Sequence, residues 1–166
     1  MNLTDALLDS WDRQCRILTA VASRITPENQ GAKPSDDGWD LLTQLAHIHK
    51  VRWEFLRNVA PDLAEGIDDG YAGGWEEPVV DLETAKSNLD KTAAAVREAV
   101  RRGLENGIEQ FGWYDNPVLF LQHMIWHEGW HVGLIFLALR RAGQEPPQEW
   151  EEEKVWSEWR IEVWEG

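Results

Sequence analysis

The sequence has a single cysteine, Cys15, among its 166 residues. A disulfide within the chain is therefore excluded, and so is a zinc site built from several thiolates. The N-terminal stretch carries acidic residues and lacks the apolar run of a signal peptide, so we expect a cytoplasmic protein. The length fits one domain with a real core, and we expect residues 1–166 to form a single domain.

Basic residues are also scarce. Lys and Arg number 16 against 30 Asp and Glu, which gives a net charge of −14. Segments 62–83 and 145–166 carry eight acidic residues each, and we expect them to be a solvated loop and a solvated tail. An acidic surface without a basic stripe repels phosphate backbones, so we expect no nucleic-acid partner.

No long uninterrupted apolar run is present. The most apolar stretch, residues 117–139, is interrupted by Gln122, Glu128 and three histidines. This stretch is too polar for a membrane span, so we expect no membrane partner and predict a buried helix. Convincing strand alternation is missing as well, which favours an all-α fold.

Helical periodicity and end signals predict four main helices at residues 3–24, 39–59, 81–103 and 116–143, and a weaker helical piece at 148–163. Asp81 is a good N-cap, and Asn116-Pro117 is typical of a helix start. Gly103 and Gly143 are expected to end their helices. The predicted fold is a four-helix bundle with a long connection between its second and third helices.

Tryptophan is abundant, with 11 residues. Five of them fall in helical patterns and are expected in the core: Trp11, Trp39, Trp53, Trp126 and Trp130. Four more crowd the C-terminal tail, where they could seal the bundle or form an oligomer interface: Trp150, Trp156, Trp159 and Trp164.

Three histidines, His123, His127 and His131, stand four residues apart in the apolar segment. Positions i and i+4 stack on one face of a helix, so His127 and His131 can share one metal ion. His123 drifts about 80° from His131 and is expected to pack beside the ligands. The alternative is that all of them are hydrogen-bonded core residues, but a buried pair with a second histidine cluster elsewhere favours a metal.

The third ligand would come from His47 or His49. The apolar face of the second helix contains His49, whereas His47 lies on its flank, so periodicity by itself favours His49. Three neutral imidazoles would leave one coordination position open, which is typical of catalytic rather than structural sites.

The letters from His127 to His131 also read HExxH, the motif of zinc proteases in which the glutamate acts as general base. The downstream sequence VGLIFLALRR lacks the further histidine of the extended motif, and no strand-rich lobe is present. A zinc protease is therefore the less favoured alternative.

Trp39 precedes His47 by eight residues in WDLLTQLAHI, and HEGWHVGLI contains the histidine pair before Gly143. In these motifs and their order the chain resembles the DinB/YfiT-like superfamily of metal-binding four-helix bundles. Leu134 stands where that family usually has glutamine. The resemblance selects His47 as the third ligand and leaves His49 as a packing residue.

The resemblance implies a divalent ion, zinc or nickel with manganese as a further candidate. It implies a metal-dependent enzyme, either a transferase or isomerase that uses a low-molecular-weight thiol or a hydrolase, acting on a small molecule as a homodimer. Glu54 and Glu128 are candidate proton acceptors. Glu128 lies about 100° around the helix from His127, so a surface or interhelical ion pair is its expected role. A non-catalytic bundle that is stabilised by metal or senses a ligand is the competing hypothesis.

Overall fold

A computed structural model describes residues 2–75 and 78–161. Its helices are α1 (Leu3–Ser23), α2 (Leu41–Val59), α3 (Pro61–Ala64), α4 (Leu82–Glu105), α5 (Pro117–Arg141) and α6 (Gln148–Glu151), followed by a π-helical turn (Glu152–Trp156). In the described residues, β pairing is confined to two isolated bridges. The predicted all-α class is confirmed. None of these helices combines the length and the apolar character needed to cross a membrane.

An asparagine or aspartate side chain caps the N-terminus of each long helix. Asn2, Asp40, Asp81 and Asn116 each accept the backbone N–H three residues on, at 2.7–3.0 Å. Such a cap stabilises a helix by about 1 kcal/mol. The caps predicted at Asp81 and Asn116 are confirmed. Because Asp40 is the cap of α2, that helix begins at Leu41 instead of residue 39.

The predicted end of α4 at Gly103 is wrong, since the helix continues to Glu105. Gly103 serves close packing instead. A Cβ atom there would lie 2.7 Å from Pro117 Cγ and 2.9 Å from Phe111 Cε2. The residue that takes the positive φ after the helix is Gly107, at 61°.

The apolar core falls into two clusters stacked along the bundle. One cluster joins the C-terminal halves of α1 and α5 to the N-terminal halves of α2 and α4, and the other joins the opposite halves. Helices α1 and α5 therefore run in one direction, and α2 and α4 run in the other. Because α2 and α4 are parallel, the connection between them must return along the length of the bundle.

A layer of buried polar side chains separates the two clusters. Each long helix contributes to it, with Gln14 from α1, Arg52 from α2, Thr92 from α4 and Glu128 from α5. Arg52 donates from Nε to Glu128 Oε1 at 2.6 Å and from Nη2 to Oε2 at 2.9 Å. Both side chains are 1% exposed. The expected interhelical ion pair of Glu128 is thus present, and it is bidentate and buried.

Three tryptophans predicted in the core lie at the surface. Trp39 is 48% exposed, Trp126 is 66% exposed and Trp130 is 61% exposed. For Trp126 and Trp130 the prediction was wrong because α5 is apolar on its outer face as well as its inner one, and for Trp39 because it precedes the cap of α2. Trp11 is fully buried, and Trp53 is partly buried with its Nε1 donating to Ile67 O at 2.8 Å.

The C-terminal segment packs on the bundle through its apolar residues. Val155 belongs to the first apolar cluster, and Trp150 packs against that cluster. Arg16 of α1 pairs with Glu158 at 2.8 Å. Trp156 and Trp159 remain exposed. Residues 162–163 of the predicted helical piece, and Trp164, lie outside the described residues.

The substitution Glu128→Leu is expected to lower the free energy of unfolding by about 3–5 kcal/mol, because it leaves the Arg52 guanidinium buried without its carboxylate. The double variant Arg52→Met/Glu128→Leu removes both charges and is expected to recover most of that loss. Urea denaturation of the metal-free proteins measures both values.

A surface ion pair provides the control. Asp62 pairs with Arg102 at 2.6 Å in an exposed position, so Asp62→Ala should leave the urea midpoint nearly unchanged. A double variant no more stable than Glu128→Leu would contradict the account of the buried pair.

Candidate metal centre

Three histidine side chains from two helices converge at one end of the polar layer. His127 Nε2 lies 3.3 Å from His47 Nε2 and 3.2 Å from His131 Nε2. Nitrogen ligands held about 2.0–2.1 Å from a tetrahedral ion lie about 3.3 Å apart. The cluster could therefore hold one metal ion, and its donor atoms all lie within 4.8 Å of one another.

The local fold explains why these side chains meet. His127 and His131 are one turn apart on α5, so their rings lie on the same side of that helix. Asp40 sets the start of α2 and thereby places His47 on the second turn, opposite them. The structure brings together the three histidines that the resemblance selected.

Gln44, which the sequence analysis missed, orients one of the histidines. Its Oε1 accepts a hydrogen bond from His131 Nδ1, while its Nε2 lies 3.5 Å from the Trp39 carbonyl oxygen. An amide oxygen can only accept, so the proton of His131 sits on Nδ1 and the lone pair of Nε2 faces the cluster. The available signal was a glutamine one turn before His47 in an apolar helix.

Two indole rings flank the cluster. The Trp39 ring centroid lies 4.7 Å from that of His47, and the ring stacks parallel to His131 at 6.4 Å. Trp75, from the connection after α3, lies 5.7 Å from His47. Burial lowers the pKa of His47 and of His127 to about 4 and that of His131 to about 3. The imidazoles are therefore neutral at pH 7, as metal ligation requires.

His49, the third ligand that periodicity alone favours, lies apart from this cluster. It is buried, and its Nε2 donates to Asp68 O at 2.7 Å. Burial lowers the pKa of His49 as well. Its neighbour Lys50 pairs with Asp69. Segment 62–83, which was expected to be a solvated loop, is therefore bound to α2 through these two contacts.

The other candidate residues have partners of their own. His123 bonds through Nδ1 to the Tyr114 hydroxyl, and its ring lies 6.2 Å from that of His127. Glu54 lies 3.8 Å from Arg57 on the same helix. Both oxygens of Glu128 are taken by Arg52, which disfavours the general-base role that a zinc protease would require.

Comparison with known proteins gives one family. The model of the DinB family matches residues 1–162. Comparisons with curated proteins and with solved structures gave no match.

The metal-free protein is expected to lose stability as the pH falls from 6.5 to about 4. Unfolded histidines take up protons near pH 6.5, whereas the folded His47 and His127 do so only near pH 4 and His131 near pH 3. Protons therefore favour the unfolded state in this window, and below it the loss levels off. Urea denaturation with a chelator at several pH values measures the effect.

The variant His127→Gln/His131→Gln serves as the reference, because the remaining titrating groups are common to both proteins. Its stability should depend less steeply on pH between 6.5 and 4. Equal slopes for the two proteins would contradict the buried, neutral state of these histidines.

Proposed function

The chain belongs to the DinB family, and on that basis we propose that it is a metal-dependent enzyme in which His47, His127 and His131 hold one divalent ion. The observation that carries the proposal is the convergence of three Nε2 atoms at 3.2–3.3 Å. Three protein ligands leave a coordination position for a substrate.

The donor set favours zinc or nickel over manganese. Imidazole suits zinc and nickel, whereas manganese prefers carboxylate and water oxygens. Among the residues that the structure describes, the candidate cluster consists of three histidines without a carboxylate. The nearby Glu128 is engaged by Arg52, so it is not available to complete an oxygen-rich site.

A bound ion would supply Lewis acidity that lowers the pKa of a thiol or a water molecule and so makes a nucleophile at neutral pH. The chain's own residues prepare the site for this chemistry. Gln44 holds His131 in the required tautomer, and the rings of Trp39 and Trp75 shield His47 from water. We propose a low-molecular-weight thiol or a hydrolysable small molecule as the substrate.

Protein purified with zinc or nickel in the medium is expected to contain about one metal ion per chain by elemental analysis. His127→Gln removes the nitrogen that lies between the other two and should abolish stoichiometric binding. His123→Gln is the matched control, because it changes a histidine one turn away on the same helix, and it should retain the ion.

Absence of stoichiometric metal from the purified protein, or full binding by His127→Gln, would contradict the metal site. A second test distinguishes an enzyme from the non-catalytic bundle. The protein is loaded with cobalt, and a small thiol, cysteine, is added. A change in the visible absorption of the cobalt supports a site open to substrate. If the spectrum is unchanged and chelation only lowers the melting temperature, the ion is structural.

We further propose that the protein is a homodimer that pairs through the outer face of α5. Four large apolar side chains form this face and are exposed: Leu119, Trp126, Trp130 and Leu137. They offer on the order of 400–500 Å², which is within the range of the largest apolar patch on a typical monomer, and a patch of this size is often a binding surface. A Cβ atom added at Gly129 or Gly133 would meet open space, so a second helix can approach closely.

The distribution of charge supports a second copy as the occupant of this face. Between Asn116 and Leu139 the charged residue is Glu128, which is buried and paired. Two chains of net charge −14 repel each other over most of their surfaces. An uncharged apolar patch facing its own copy across a two-fold axis escapes that repulsion.

Light scattering is expected to give twice the chain mass of 19.1 kDa for the wild type. Trp126→Glu would place two like charges in the interface and should yield a monomer. Trp113→Glu is the control, because Trp113 is equally exposed but precedes α5, and it should remain a dimer. A monomeric wild type, or a dimeric Trp126→Glu, would contradict this interface.

A further inference from the structure

A cleft of about 460 Å³ adjoins the histidine cluster. It is shared by the segment before α2 and the outer part of α5, and its lining includes His131. Most of its wall is apolar and aromatic, with Trp39, Trp130, Leu134 and Leu137. Trp130 and Leu137 also belong to the face of α5 proposed above for dimerisation, so the cleft lies at the edge of that face. The Trp39 ring, which touches His47 and stacks on His131, is the wall that joins the cleft to the cluster.

The charge of the cleft has one sign. Within the described part of the chain, Asp37 is the charged residue in its lining, and neither lysine nor arginine contributes to it. The adjacent Arg141 is paired with Asp36 at 2.8 Å. A carboxylate or phosphate in this cleft would meet a negative side chain and no counter-charge, and the net charge of −14 adds to the penalty.

Resting on the proposed function, we infer that this cleft selects the substrate. It takes a planar apolar arm that carries no negative charge, while the reacting atom of the same molecule lies at His47, His127 and His131. Indole faces favour flat rings, and the volume is that of a small-molecule site. The leucines of α5 contribute apolar contact, and Asp37 rejects acidic arms.

Three related probes test this inference on the zinc-loaded protein by titration calorimetry: imidazole, 4-phenylimidazole and 4-(imidazol-4-yl)benzoate. Each probe offers an imidazole nitrogen to the open coordination position. The probes differ in the substituent on that ring, which is absent, a phenyl group or a benzoate group. The phenyl arm should strengthen binding about tenfold over imidazole, from burial of part of its ring. The added carboxylate should cancel that gain.

Two tryptophans that both contact His47 make a matched pair of variants. Trp39 lines the cleft and Trp75 does not, although both are about half exposed. Trp39→Ala should abolish the phenyl gain relative to imidazole, and Trp75→Ala should retain it. Asp37→Asn should restore binding of the benzoate probe, whereas Asp36→Asn, next to it but outside the cleft lining, should not.

The results distinguish a failure of the proposed metal-dependent function from a failure of the proposed role of the cleft. A protein that holds no zinc overturns the proposed function and this inference with it. A zinc-loaded protein that binds imidazole, but gains nothing from the phenyl arm or loses nothing from the carboxylate, overturns this inference alone. A phenyl gain that survives Trp39→Ala overturns the assignment to this cleft.

Discussion

The buried ion pair between Arg52 and Glu128 is the constraint on which the candidate site depends. It joins α2 to α5, the two helices that carry the clustered histidines. A shift of one residue along either helix would move its side chains 1.5 Å and turn them by about 100°. Metal ligation tolerates errors of about 0.2 Å. A bidentate pair flanked by two apolar clusters gives α2 and α5 one favourable register, at a cost in desolvation.

Three faces of helix α5 have different roles. Glu128 faces the core, His127 and His131 lie on a flank towards α2, and Trp126 and Trp130 face outwards. These separate roles explain why helical periodicity wrongly predicted that Trp126 and Trp130 are buried. A helix that is apolar on both its inner and outer faces has no contrast from which burial can be derived. Trp39 failed for a different reason, since it precedes the cap of α2 and is not on the helix at all.

Local signals were sufficient for the fold. Asp81, Asn116 and Gly143 mark helix boundaries through chemistry that needs no tertiary partner, and the structure follows them. Half of the candidate site, the pair on α5, followed from spacing in the same way. The choice of partner on α2 did not, because hydrophobic periodicity identifies core positions and the histidine cluster lies at the flank. The spacing of His47 from Trp39 carried that information instead.

His49 illustrates how a residue outside the cluster still shapes it. Its bond to Asp68 O and the pairing of Lys50 with Asp69 hold the acidic connection against α2. Lys50 also lies under the rings of Trp53, Tyr71 and Trp75, at 4.7–5.6 Å from their centroids. Because Trp75 in turn contacts His47, the segment expected to be solvent-exposed supplies one wall of the cluster. Contacts of this kind join residues of α2 to a segment about twenty positions away, and no local pattern in the sequence could have predicted them.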